Sequence, residues 1–524
     1  MFLSRIIQKY TFNTLFAARN LWLWGGLLVS GSILTDCRQA TDASDMTGEE
    51  LAKLHCSNCH AFPEPKLLPK AIWENGVLPK MALRLGFLTD TLSVMNYNAQ
   101  LEEQQAGAQL GAYPVEPVMA QADWLKIIDY YKTNAPEKPI PQGKKAAVVP
   151  GLPLFSVREP TPRIVPLTTL VRYDAVHRRI IVGDRMNYAQ FVSPSLTVTD
   201  SIRLSSTPAD VLVNNAKGYD WLLMGHMDPD NQAIGKIAAT PARAGQGETP
   251  VLPQLRRPVQ MVSQDFNKDG QPDYIVCQFG HLAGKLSAYM KTATGYQEEV
   301  IDPVPGARQV IIRDVDKDEW PDVIALLAQG DEQIAWYKNY KGKFIKQTLI
   351  RFPPVNGSSS IELADIDRDG DEDLIYTNGD NADYSYSLKA YHGVRIFLND
   401  GKFSFTEAWF YPLHGATQVV ARDFDQDGDM DLAAIAFFPD YDHPNPESFV
   451  YFENDGKQNF TPRTFSQANQ GRWLVMEAAD YDQDGDEDLL LGSFHFSVTK
   501  TPESYKNQWR QQSNGLLVLE NKRK

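Results

Sequence analysis

Five short acidic segments recur along this chain, and they constrain its fold more than any other feature. They read DFNKDGQPD at 265–273, DVDKDEWPD at 314–322, DIDRDGDED at 365–373, DFDQDGDMD at 423–431 and DYDQDGDED at 480–488. Successive copies start 49, 51, 58 and 57 residues apart. Each copy lies between a short apolar strand before it and a second one after it, such as Val310-Ile311-Ile312 and Asp322–Leu326. A period of about 50 residues with several strands per unit is the signature of a β-propeller.

The units before residue 265 lack the acidic loop but keep the strand rhythm, over Leu170–Leu204 and Asp210–Ala238. Counted as degenerate blades, these two and the five acidic units predict seven blades, with six and eight as the alternatives. The last unit ends at Gly515–Glu520 without the outer strand that other units carry, for example Lys343–Leu349. Leu154–Arg158, at the start of the domain, is predicted to supply it. That exchange closes the ring and hides an unpaired strand edge.

In the acidic loops, carboxylates alternate with other residues and converge on a position suited to a hard cation. Calcium accepts several oxygens in flexible geometry. An EF-hand needs Glu at position 12, but Val276, Ala325, Tyr376, Ala434 and Leu491 stand there. The pattern resembles the calcium loops of FG-GAP/VCBS repeats, the propellers of integrin α-chain type, over residues 154–524. That resemblance implies ligands at positions 1, 3, 5 and 9, with the carbonyl of position 7. The implied sets are Asp265, Asn267, Asp269 and Asp273; Asp314, Asp316, Asp318 and Asp322; Asp365, Asp367, Asp369 and Asp373; Asp423, Asp425, Asp427 and Asp431; and Asp480, Asp482, Asp484 and Asp488. In the second copy Glu319 replaces the turn glycine. A left-handed backbone there costs about 1 kcal/mol or more, so that loop is expected to bind more weakly.

The other motif is Cys56-Ser57-Asn58-Cys59-His60, the C-x-x-C-H pattern of covalent haem attachment. Two thiols form thioethers with the haem vinyl groups, and the adjacent histidine ligates the iron. Zinc sites and redox dithiols share such pentapeptides, but no second Cys/His pair with zinc-ligand spacing lies nearby. Glu49–His55 reads as a helix entering the motif, and Ala122–Tyr131 as a later helix with apolar residues at helical spacing. Over roughly 47–135 the segment resembles a class I cytochrome c domain. A methionine as sixth ligand suits electron transfer. Met81 is the first candidate, because Trp73, Val77 and Met81 resemble the Trp-x-x-x-Val-x-x-x-Met context of small monohaem cytochromes. Met119 and Met95 are the alternatives. His55 is expected on the surface or near the propionates, and Cys277 as an inert thiol within a strand.

The N-terminus carries Arg5, Lys9 and Arg19 ahead of the apolar run Leu21–Leu34, which is shorter than the roughly 20 residues of a membrane span. Leu34-Thr35-Asp36-Cys37 resembles a bacterial lipobox, with Cys37 the lipidated residue and Asp36 a departure from the usual small residue. Export to the periplasm or cell surface is implied, with the chain tethered to a membrane. The predicted organisation is an export signal (1–37), a polar tether (38–48), an all-α cytochrome-like domain (49–135), a proline-rich extended linker (136–153) and an all-β propeller (154–524).

A formal net charge of -15 excludes a nucleic-acid partner, which needs a basic face. The expected function is electron transfer to a redox partner protein, with haem c and calcium as cofactors and the propeller docking a partner or ligand. Two other functions fit the same motifs: a propeller-based dehydrogenase feeding electrons to the haem, and a glycan-binding or adhesion module with an accessory haem. The polar segment 378–386, with His392, His414 and His443, is a further candidate ligand pocket.

Overall fold

The computed structural model describes residues 43–88, 97–214, 218–242, 247–381, 387–496 and 501–523. Cys37, residues 38–42 of the tether, Met95 and residues 382–386 therefore lie outside the described residues. No helix among the described residues is long and apolar enough to cross a membrane.

Seven four-stranded antiparallel sheets make a propeller, as the repeat predicts. Blades 1 to 7 span 168–203, 208–255, 258–302, 307–351, 358–412, 416–464 and 473–521. The first strand of each blade contacts the first strand of the next, and the contacts run in a closed ring. The second strands are sandwiched between neighbours on both faces. Asp322–Leu327 and Asp488–Ser493 are buried at all six positions, which explains their unbroken apolar runs.

Ring closure follows the expected exchange. Phe155–Arg158 pairs antiparallel with Leu516–Asn521 as the outer strand of blade 7, in the register Phe155 to Asn521. The segment before it is expected as a proline-rich extended linker, and the structure adds a strand pairing there. Val149–Pro150 adds to blade 6 as a fifth strand, parallel to Thr461–Thr464. Lys145 donates to the Pro412 carbonyl at 2.8 Å and pairs with Glu447. Proline lacks one donor, but an edge strand needs only half its backbone groups paired.

A second departure is the helix Glu503–Gln512 between the second and third strands of blade 7. Its sequence is polar all round and buries only Trp509, so it carries no apolar stripe to betray it.

The helical part packs the helix Gly48–Cys56 against the helix Gln121–Asn134. Gly48 permits the crossing, because a Cβ there would lie 2.2 Å from the Lys126 carbonyl oxygen. Thr47 and Glu50 form a reciprocal capping box at the start of the first helix. Leu51, Ala52, Trp73, Trp124, Ile127 and Tyr131 build the core of this helical part, and Val355 of the propeller packs against it.

Candidate functional site

Cys56 ends its helix, and Ser57 to His60 turn away from it. The following loop is pinned by buried side chains. Tyr131 donates to the Pro63 carbonyl at 2.9 Å, and Trp73 Nε1 to that of Pro65 at 2.8 Å. His60 Nδ1 lies 2.9 Å from the Ala61 carbonyl oxygen. A carbonyl only accepts, so Nδ1 carries the proton and Nε2 keeps its lone pair. Burial holds His60 below its ordinary pKa and favours this neutral ring.

Cys56, Cys59 and His60 all line one cavity of about 430 Å³, in the range of small-molecule and cofactor sites. Trp73, Val77 and Met81 line it too. They stand four residues apart on consecutive turns, so they share one helical face. Met119 is buried in the helical core and is not in the cavity wall. His55 lines the cavity.

The two cysteines are free thiols. Burial pushes the Cys56 thiol up to about 11. A redox dithiol needs the opposite shift, toward thiolate. Among the described residues, no group of three candidate metal-ligating side chains includes Cys56, Cys59 or His60. Trp124 Nε1, in the cavity wall, is buried without an acceptor in the chain. An unpaired indole N–H in a cavity is a place for a ligand acceptor.

On the other half of this cavity, sequence reasoning reached only Asp380 and Asn381, in the polar segment 378–386, and missed the rest. Arg257, His281, Gln329, Glu332, Val355 and Lys389 line it from blades 3 to 5 and the turns between blades 2 and 5. These residues are scattered over loops more than a hundred positions apart, so no local pattern joins them. Glu332 is buried, and its pKa is raised to about 7 by that burial. It accepts from the backbone N–H groups of Gly357 at 3.1 Å and Ser358 at 2.8 Å.

The acidic loops join first and second strands, whereas the cavity is lined by the turns at the other ends of those strands. Position 1 organises each loop. Asp265 Oδ2 accepts from Gly270 N at 2.8 Å, and Asp423 Oδ2 from Gly428 N at 3.0 Å. Ligand atoms converge within 4.8 Å of one another in Asp314, Asp316 and Asp318; Asp365, Asp367 and Asp373; Asp423, Asp425 and Asp427; and Asp480, Asp482 and Asp484.

Position 9 does something else as well. Asp273, Asp322, Asp373, Asp431 and Asp488 are each at most 1% exposed. One oxygen of each accepts a backbone N–H at the end of the third strand of its blade, at Lys291, Asn339, Asn399, Asn454 and Asn521, over 2.7–2.9 Å. The closing aspartate thus clamps its own blade.

Blade 4 departs from the rest. Glu319 holds the predicted left-handed backbone, with φ of 68°. Lys338 pairs with Asp316 and lies 3.3 Å from Asp318. An ammonium group therefore fills the place a cation takes in such a loop. At the same register, Glu453 and Glu520 stand in blades 6 and 7. Asp429 and Asp486, at position 7 of those blades, are buried, and both Asp486 oxygens lack a hydrogen-bond partner.

His392 is fully buried, and its Nε2 has no partner; neither has Nδ1 of His414. His443 is exposed, with its Nδ1 2.8 Å from the Asn445 carbonyl oxygen. None of the three lines the cavity that holds His60. Cys277 is buried in its strand, as expected.

Residues 314–376 and 377–434 match the family model described as FG-GAP-like repeat. The chain therefore carries FG-GAP repeats within a seven-bladed β-propeller. No match was found among curated proteins. Similar solved structures include BBS1N in complex with ARL6DN, 9% identical, with TM-score 0.44, covering 71% of this chain and 97% of that one. The Myceliophteria thermophila Cps50 (Swd1) β-propeller domain is 9% identical, with TM-score 0.42, covering 70% and 98%. A putative 6-phosphogluconolactonase from Bacteroides fragilis is 12% identical, with TM-score 0.39, covering 56% and 82%.

Proposed function

We propose that this protein is an exported, cell-envelope monohaem c-type cytochrome whose propeller binds calcium and docks a redox partner or ligand. The convergence of Cys56, Cys59, His60 and Met81 on one cavity carries this reading. Cys56 and Cys59 would hold haem covalently, His60 Nε2 and Met81 would ligate its iron, and Trp124 Nε1 would meet a polar group of the cofactor. When bound, the iron supplies one-electron chemistry between Fe(II) and Fe(III). The chain's own residues fix the His60 tautomer through Ala61, keep Cys56 neutral until it is alkylated, and exclude water with Trp73, Val77 and Leu78. Lipidation at Cys37 would tether the protein to a membrane.

Calcium is assigned to the loops at 365, 423 and 480, where carboxylates converge without an internal cation, and to the loop at 265 by its like sequence. Its role there is to pin hairpins.

The test is a reduced-minus-oxidised visible spectrum of protein purified from an export-competent host. The expected result is a low-spin c-type spectrum with a methionine-to-iron band that Met81→Ala abolishes and Met119→Ala keeps. A band lost on Met119→Ala instead would move the sixth ligand. Reduction by an added sugar, with no other donor, would favour the dehydrogenase reading.

A further inference from the structure

We infer that Glu332, in the propeller wall of the cavity, is a redox-linked proton site. It takes up a proton as the haem iron is reduced and releases it as the iron is oxidised, so electron transfer through this protein is coupled to proton transfer. This rests on the haem reading above.

Glu332 lies in the turn between the second and third strands of blade 4 and lines the same cavity as Cys56, Cys59 and His60. It is 2% exposed. A carboxylate buried so deeply is ordinarily paired with a cation, because an unpaired buried charge is costly. Glu332 has no such pair among the described residues. Its oxygens accept instead from two neutral donors, Oε1 from the Gly357 N–H at 3.1 Å and Oε2 from the Ser358 N–H at 2.8 Å. These bonds fix the carboxyl in place without cancelling its charge. Each oxygen keeps a second lone pair, so a proton can add without breaking either bond. Burial raises its pKa to about 7, which brings both charge states within reach near neutral pH.

The charged groups around it are otherwise committed. Asp331, its neighbour in the turn, is held by Arg351 at 2.6 Å. In blade 5, Lys389 favours the ionised form of Glu332 from a distance, and the phenols of Tyr376 and Tyr391, pushed up by burial, stay neutral. Arg257 and Asp380 of the propeller and Arg84 of the helical part line the cavity, and these three and Lys389 all hold partners within the chain. Burial lowers His55, His60 and His281, so these rings are neutral at pH 7. Reduction removes one positive charge from the cavity, a change that a low-dielectric interior transmits well and that disfavours a nearby carboxylate. The step balances: as the iron gains one electron from the redox partner, Glu332 gains one proton from solvent and forms one O–H bond. Oxidation returns both.

The test is a redox titration of the full-length holoprotein at a series of pH values. The wild-type midpoint potential should be level in mild acid, fall as pH rises from about 7, and level off again. Glu332→Gln, which carries no titratable proton, should lose that fall with haem per chain unchanged. Glu319→Gln is the control, since that side chain is 89% exposed on an acidic loop, and it should keep the wild-type profile. A reduced-minus-oxidised infrared spectrum of the wild type at pH 7 supplies a second readout that needs no variant to fold. A protonated-carboxyl stretch should appear on reduction as carboxylate bands fade. An unchanged pH profile in Glu332→Gln, an equal loss in Glu319→Gln, or no carboxyl band on reduction would overturn the inference while leaving covalent haem standing. Absence of covalent haem from the wild type would instead remove the reading beneath it.

Discussion

Gln418 grips Met476 with both ends of its amide. Its Nε2 donates to the Met476 carbonyl at 2.7 Å, and its Oε1 accepts from the Met476 N–H at 2.9 Å. The side chain thereby acts as a strand between blades 6 and 7. Gln309 treats Ile361 in the same way across blades 4 and 5, over 2.9 Å in both directions. Gln260 and Val310 repeat the arrangement between blades 3 and 4.

Gln418→Leu removes both partners and leaves two backbone groups unsatisfied at the innermost strands. At about 1–3 kcal/mol for each such group, the variant should lose roughly 2–6 kcal/mol. Urea denaturation checks this: the midpoint should fall with the slope unchanged. An unchanged midpoint would show that water replaces the amide at no cost.

Chelation should lower the melting temperature of the wild type, because nineteen of the twenty positions 1, 3, 5 and 9 are aspartates that repel one another without a cation. Asp486 sharpens the test. Burial and the neighbouring Asp484 raise its pKa to about 6. Asp486→Asn should stabilise the chelated protein and destabilise the calcium-loaded one. A change of the same sign in both conditions would remove Asp486 from the cation site.

Blade 4 should bind no calcium at concentrations that fill the other loops, since Lys338 supplies the charge. Calorimetric titration should return four sites in the wild type and a fifth, weaker one in Lys338→Gln. Five sites in the wild type would mean that the lysine swings out of the way.

Acid should destabilise the propeller through its buried neutral histidines. Burial lowers His495 to about 3 and His414 to about 4, against an ordinary value of 6.5. The unfolded rings take up protons as pH falls below 6.5, and the folded ones do not until their lowered values are reached. The contribution of these two rings is therefore full above pH 6.5 and declines from there toward pH 4, by on the order of 2 kcal/mol for each ring. His495 Nε2 contacts Ser493 Oγ at 2.8 Å and Ser513 Oγ at 3.0 Å, contacts a glutamine amide can reproduce. His495→Gln should flatten the stability profile between pH 6.5 and 4. An unaltered profile would place the acid sensitivity elsewhere.

What the sequence revealed, and what it concealed, follows from where each signal is stored. The blades were legible because the closing aspartate and the apolar second strand recur together, as in Asp322–Leu327 and Asp488–Ser493. Blades 1 and 2 kept that strand rhythm without the acidic loop, so they could still be counted. The exchange at Phe155 was legible as a missing strand at one end and a spare one at the other. By contrast, Val149–Pro150 is too short to read as a strand, and Glu503–Gln512 has no apolar face. The cavity wall was hidden for a different reason. Arg257, His281 and Lys389 meet His60 only because the helical part sits on one end of the ring, and nothing local encodes that meeting.

The most direct measurement is haem-stained denaturing electrophoresis of the full chain beside its Cys56→Ser/Cys59→Ser double variant. The account predicts a stained band at the full-length position for the wild type and none for the double variant, with equal protein in both lanes. An unstained wild-type band, from a host that attaches haem to another c-type cytochrome in the same experiment, would contradict it.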